Sequence, residues 1–186
     1  MGKRLRLFLV SLALVAAPMA TTVSADQADD RLDRLFAELA EAGPEEAAAL
    51  EARIWELWSD APSPTVDLLF ERAEVAAASG DLQLSYDLLT HIVALAPSFA
   101  EGWARRAAVR VEREDLEGAI ADLERALELE PRHFGAYFAL GGVFVMLGED
   151  KAAYAAFTDA LKINPQLEAA REAADRLERG ATGQGI

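Results

Sequence analysis

The chain has 186 residues, 52% of them hydrophobic, which is enough to bury the core of one domain of ordinary size and excludes disorder throughout. Its 32 acidic residues outweigh 18 basic ones, and the resulting formal net charge of −14 repels nucleic acid and anionic lipid headgroups and argues against either as a partner. Cysteine is absent, which removes disulfides and thiolate metal sites together, so packing alone must hold the fold.

Lys3, Arg4 and Arg6 precede an apolar run over residues 7–17, followed by Pro18 and a stretch of small residues. This is the layout of a secretory signal peptide, assigned to residues 1–25. Val23 and Ala25 supply the small side chains required before a cut after Ala25, which would make Asp26 the first residue. An uncleaved anchor is the competing reading. The 11 residues of the run fall short of the roughly 20 needed to cross a bilayer, so no stable membrane insertion is expected after cleavage. All the acidic residues lie beyond the cut and three cations are lost with it, so the remaining chain is more acidic still. Arg outnumbers Lys 15 to 3 and Ala is abundant, a bias of GC-rich bacterial genes; the expected location is the periplasm or the medium.

Beyond the cut, Leu32, Leu35, Phe36 and Leu39 recur at the i, i+3, i+4, i+7 spacing of one helical face. Gly43 and Pro44 break this helix, and Pro44 with Glu45 and Glu46 suits the start of a second one, running to about Trp58. Residues 26–65 are therefore read as an N-terminal helical hairpin, with a degenerate repeat over 32–65 as the alternative. Trp55 and Trp58 are expected to dock it on the unit that follows.

From there Pro97, Pro131 and Pro165 stand 34 residues apart, closing units 66–99, 100–133 and 134–167. The third carries Tyr137, Leu140, Gly141 and Phe144 on its first helix and Ala153, Phe157 and Ala160 on its second. The second carries Trp103, Ala107, Ala119, Leu123 and Ala126. The first carries Leu69, Ala73, Ser85 and Leu89, with an oversized Ile92 and with Arg72 at its seventh position. This alternation of bulky and small residues resembles the tetratricopeptide repeat, a helix-turn-helix unit of 34 residues. The resemblance implies an all-α, right-handed solenoid of three such repeats between the N-terminal hairpin and a C-terminal capping helix. Small residues at 73, 107 and 141 let paired helices approach closely. Turns are expected at Gly80-Asp81, Glu114-Asp115 and Gly148-Glu149, where Gly can end a helix and Asp can cap the next. The capping helix is read over 168–180, with Ala170, Ala174 and Leu177 on its apolar face, and residues 181–186 as a frayed Gly-rich tail.

Nothing in the sequence assembles a catalytic site. His91 and His133 fall in different repeats, Gly141-Gly142 sits inside a helix with neither a preceding strand nor a following Lys, and the carboxylates mark solvated faces. Neither enzymatic activity nor a metal or other cofactor is expected.

The resemblance instead implies a concave surface built by the first helices of the repeats. Its candidate partner-binding residues are Phe70, Glu74, Val111, Gly135, Phe138, Gly142, Val145 and Met146. Relatives that clamp a carboxylate do so with Lys, Arg and Asn at such positions, a set this chain lacks. The positions offer an apolar end around Phe138, Val145 and Met146 and an acidic end around Asp67, Glu74 and Glu101, suited to an extended or helical peptide with hydrophobic anchors and some positive charge. Against this, Phe138 and Met146 could simply pack on the neighbouring repeat. Arg106 and Arg110 occupy inward positions where the family has bulky apolar residues. They are read as an inter-repeat tie to Glu71, Glu74 or Glu101, with an anion site as the alternative.

The expected function is thus an exported scaffold or adaptor that binds a protein or peptide partner through its concave face. An envelope assembly factor acting by oligomerisation is the second reading, and a cell-wall hydrolase a distant third. Neither partner identity nor oligomeric state is legible.

Overall fold

The computed structural model describes residues 30–181, all in helices or short turns. The proposed signal segment with its cut after Ala25, and the tail beyond Ala181, lie outside the described residues. In chain order the elements are α1 (Asp30–Glu41), α2 (Pro44–Trp58), α3 (Pro64–Ala78), α4 (Leu82–Leu95), α5 (Ala100–Glu112), α6 (Leu116–Leu129), α7 (Phe134–Leu147), α8 (Asp150–Ile163) and α9 (Glu168–Ala181). Pairs α3/α4, α5/α6 and α7/α8 are helical hairpins stacked in order, and α9 packs on α8. The architecture is the all-α solenoid expected.

Local chemistry explains where the helices begin and end. Asp81 Oδ1 accepts from the N–H of Leu84 at 3.1 Å, and Asp115 Oδ1 accepts from Gly118 at 3.1 Å, so each second helix of the first two repeats has a carboxylate cap. The residues that end α3, α5 and α7 turn left-handed at the same place in each repeat: Gly80 at φ 81°, Glu114 at 63° and Gly148 at 74°. Glycine adopts this conformation without strain; Glu114 does so at a cost.

Small residues sit where paired helices come closest. Ala73, Ala107, Ala119, Ala126, Ala153 and Ala160 are fully buried. A Cβ at Gly141 would stand 2.5 Å from the Phe157 ring, so that ring occupies the space only a glycine leaves.

One expectation is overturned. The hairpin α1/α2 does not dock on the first repeat. Its core of Leu32, Leu35, Phe36, Leu39, Leu50, Ile54 and Trp58 closes over Phe134, with Ile163 and Leu167 against it, at the far end of the solenoid. Arg132 Nη1 donates to Asp33 at 2.6 Å, Asn164 Nδ2 to Glu51 at 2.7 Å and Gln166 Nε2 to the carbonyl of Ala42 at 3.1 Å. The physical reason lies in the two surfaces on offer. The outer face of α3 has Glu71 and Arg72 between its apolar residues, whereas the turn before α7 offers the flat rings of His133 and Phe134 to Trp55 and Trp58. The hairpin is therefore a strap across the turns that precede α7 and α9 rather than a further repeat at the front of the stack.

Candidate partner-binding site

The strap brings α2 against the start of the concave face. Trp58 stacks on the His133 imidazole, centroids 4.2 Å apart and planes at 21°, and Trp55 meets the same ring edge-on at 5.4 Å. His133 is fully buried. Its Nδ1 accepts from the N–H of Ala136 at 3.1 Å, capping α7, which assigns the proton to Nε2; that nitrogen donates to Glu101 Oε2 at 3.0 Å. Glu101, 1% exposed, also accepts from Arg105 Nε at 2.5 Å, and Arg105 reaches Glu74 at 3.4 Å. Burial pushes the Glu101 carboxyl up, but the hydrogen bond and attraction of His133, joined by Arg105, outweigh it and hold the group below the usual glutamate range.

Beside this cluster lies a cleft of about 240 Å³, bounded by Trp55 and Arg105 and floored by Ala104, Ala108, Gly135 and Ala139. Further along α7 the face continues as Gly142, where a Cβ would meet nothing within 4 Å, and as Val145 and Met146, 45% and 57% exposed. The surface is thus a shallow apolar trough of small residues with an aromatic wall at one end and two bulky, exposed side chains at the other.

The sequence-predicted residues distribute unevenly over it. Gly142, Val145 and Met146 share the open end, and Val111 is half-buried against the core of the second and third repeats. Glu74 is held by Arg105. Phe70 is not a groove residue: it is 7% exposed, its ring set edge-on to Phe99 at 5.5 Å, because Phe99, just before α5, and Val109 of α5 pack in the same cluster. Phe138 is half-buried, 5.6 Å from Phe157 in the cluster under α9. Gly135 is half-buried and lines the cleft close under the Trp55 ring, 2.6 Å from where a Cβ would stand.

Arg106 and Arg110 are likewise corrected in their partners. Both converge on Asp122 of α6, not on Glu71, Glu74 or Glu101. Arg106 grips it through Nε at 2.8 Å and Nη2 at 2.7 Å, and Arg110 Nε stands 3.3 Å from the same carboxylate. Arg106 also lies over the Trp103 ring at 4.8 Å, and Arg110 reaches Tyr86. The side-chain hydrogen bond from Arg110 lowers the Tyr86 phenol, and the hydrogen bond to Asp122 raises Arg106. The bidentate grip on Asp122 occupies the Arg106 guanidinium, so this pair ties α5 to α6 and reaches back to α4; it does not open an anion site.

Trp55, Arg105, His133 and Ala139 contribute to the site without having been singled out for it. The sequence assigns Trp55 only to docking the hairpin and leaves His133 outside any catalytic set; only the fold brings them to the concave face. Among the described residues no cluster of three or more His, Asp or Glu side chains could hold a metal ion, and no helix is long and apolar enough to cross a membrane.

Comparison with known proteins agrees with this architecture. A family model described as TPR repeat matches residues 107–148, and one described as tetratricopeptide repeat matches residues 134–167. A TPR repeat-containing protein of Rhizobium etli is 32% identical over 154 residues, spanning 82% of this chain and 76% of its own length. Among solved structures, the TPR domain of Sgt2 from Aspergillus fumigatus is similar with a TM-score of 0.62 at 24% identity, covering 67% of this chain and 85% of that one. The first TPR domain of Spaghetti (RPAP3), solved bound to an HSP90 peptide, has a TM-score of 0.62 at 17% identity, covering 66% and 97%. At such identities these two structures speak for the fold. The repeat spacing, the stacked hairpins and the extended match to the Rhizobium protein together establish that the chain belongs to the tetratricopeptide-repeat proteins.

Proposed function

We propose that the chain is an exported adaptor that captures a segment of a partner protein in the trough between Trp55 and Met146. The observation that carries this reading is the apolar surface left open on the concave face: Ala104, Ala108, Ala139 and Gly142 form a floor low enough for a partner backbone, with Val145 and Met146 exposed beside it. Exposed apolar surface on a concave face marks binding grooves. The peptide held by the Spaghetti domain supports a peptide-sized occupant by analogy alone. The cations needed to hold a terminal carboxylate are not free here. Arg105, the cation beside the trough, is engaged by Glu101 and Glu74, so apolar anchors carry recognition.

Export rests on the N-terminal pattern, and mass spectrometry of the mature protein tests it, with Asp26 expected as the first residue. The groove is tested by photo-crosslinking in cells from position 142, followed by identification of the captured protein. In the exposed double variant Val145→Glu, Met146→Glu, capture of that protein should fall at least tenfold with the helical circular dichroism unchanged. Undiminished capture would exclude this surface.

A further inference from the structure

Among the described residues, the position of the strap leaves the front of the solenoid bare. At the other end α9 buries Ala170 and Ala174 against the last repeat, but no described helix covers the outer face of α3. There Leu68 is 49% exposed and Val75 69%, with Glu71 and Arg72, both exposed, between them on the same helical face. Beside them Val75, Ala76, Leu84 and Leu88 line a cleft of about 440 Å³, and Leu84 is itself 47% exposed. An uncovered end repeat presents the apolar surface that an inner repeat would bury.

We propose that this face joins two copies of the chain in a two-fold symmetric dimer. The occupant is a second copy because the face is complementary to itself. When a second α3 is set antiparallel about an axis between residues 71 and 72, Leu68 of each copy meets Val75 of the other, and Glu71 of each meets Arg72 of the other. Both Leu68 side chains then enter the clefts formed by Val75, Ala76, Leu84 and Leu88. A parallel pairing in the same register would set Glu71 against Glu71 and Arg72 against Arg72. A closed two-fold contact also uses the patch completely, leaving no second surface to propagate a fibre.

The size of the face sets the strength of the association. Helices of 15 and 14 residues present a surface about 22 Å long and about 20 Å wide, roughly 450 Å² from each copy. The total of about 900 Å² lies below the usual range of stable interfaces, so the dimer forms reversibly.

Sedimentation velocity of the protein, purified as the cells that make it deliver it, over about 1 μM to about 1 mM tests the proposal. A concentration-dependent monomer–dimer equilibrium is expected. Val75→Glu and Arg72→Glu should each weaken it at least tenfold, the latter by setting like charges together at two places. The exchange Glu71→Arg, Arg72→Glu should restore it, a rescue that an antiparallel two-fold pairing predicts. All three positions are exposed, so circular dichroism should be unchanged. Val145→Glu, Met146→Glu, which alters the concave trough, should leave the dimer intact, keeping failure here separate from failure of the groove. A chain that stays monomeric throughout, with or without another protein seated on α3, overturns the proposal. So does a dimer that survives Val75→Glu, or one that the charge exchange fails to rescue.

Discussion

The second and third repeats share one frame and fill it with opposite chemistry. Where the second places Arg106, Arg110 and Asp122, the third has Leu140, Phe144 and Ala156, each 34 residues further on. The first set is a buried ionic cluster that ties α5 to α6 and reaches Tyr86 of α4. The second is apolar, with Leu140 and Ala156 in the core and Phe144 half-buried beside them. The same backbone geometry therefore does not require apolar interiors. It requires that whatever lies between the helices be mutually satisfied, by dispersion in one repeat and by charge and hydrogen bonds in the other.

Breaking the ionic set should have the largest effect. Asp122→Ala leaves Arg106, 8% exposed, without a carboxylate and Arg110 with only Asp115 at 3.6 Å, and should lower stability by about 3 to 5 kcal/mol in denaturant unfolding. A loss under about 1 kcal/mol would show that water replaces the carboxylate. In the third repeat the sensitive element is shape. Gly141→Ala drives a methyl into the Phe157 ring and should cost about 1 to 3 kcal/mol by the same measurement; an unchanged midpoint would mean that the ring can move aside.

Glu101→Gln probes the pair with His133 and should cost about 1.5 kcal/mol near neutral pH. The Glu101 carboxyl is held below its ordinary range, so its contribution is complete above that range and vanishes as pH falls through the lowered value. The gap between the melting curves of wild type and variant should therefore close on acidification. A constant gap from neutral to acid would remove the ionised carboxylate from the account.

Transplanting the third repeat's solution into the second sharpens the comparison most. The triple variant Arg106→Leu, Arg110→Phe, Asp122→Ala should sit within about 1 kcal/mol of wild type or be stabilised, because removing a whole buried ion cluster is far less harmful than removing half. Finally, Glu114→Gly, which copies the turn glycines of the other repeats, should raise stability by up to about 1 kcal/mol, read as a small rise in Tm.

Much of the fold was legible in the residues. The three prolines, the small residues at close helix crossings and the turn positions are local requirements, so each leaves its mark at a fixed spacing. The alanines at 73, 107, 119, 126 and 153 proved to be buried where the repeat pattern placed them. The site was legible only in part. Gly142, Val145 and Met146 lie on the open face, but Phe70 is buried against Phe99, and Gly135 is half-buried under a tryptophan 80 positions earlier. The partner of Arg106 lies 16 residues away on the next helix, and several acidic residues were equally near in sequence.

By itself, the sequence determined the class of this protein, because a 34-residue period of helix faces, turns and caps arises from interactions between near neighbours. Where the N-terminal hairpin settles was decided only in the tertiary structure. Its apolar face matches any apolar surface equally well in pattern, and the choice fell to the rings of His133 and Phe134. That choice closes one end of the concave face and, among the described residues, leaves α3 open, so the surfaces available for function follow from a long-range contact that no local periodicity encodes.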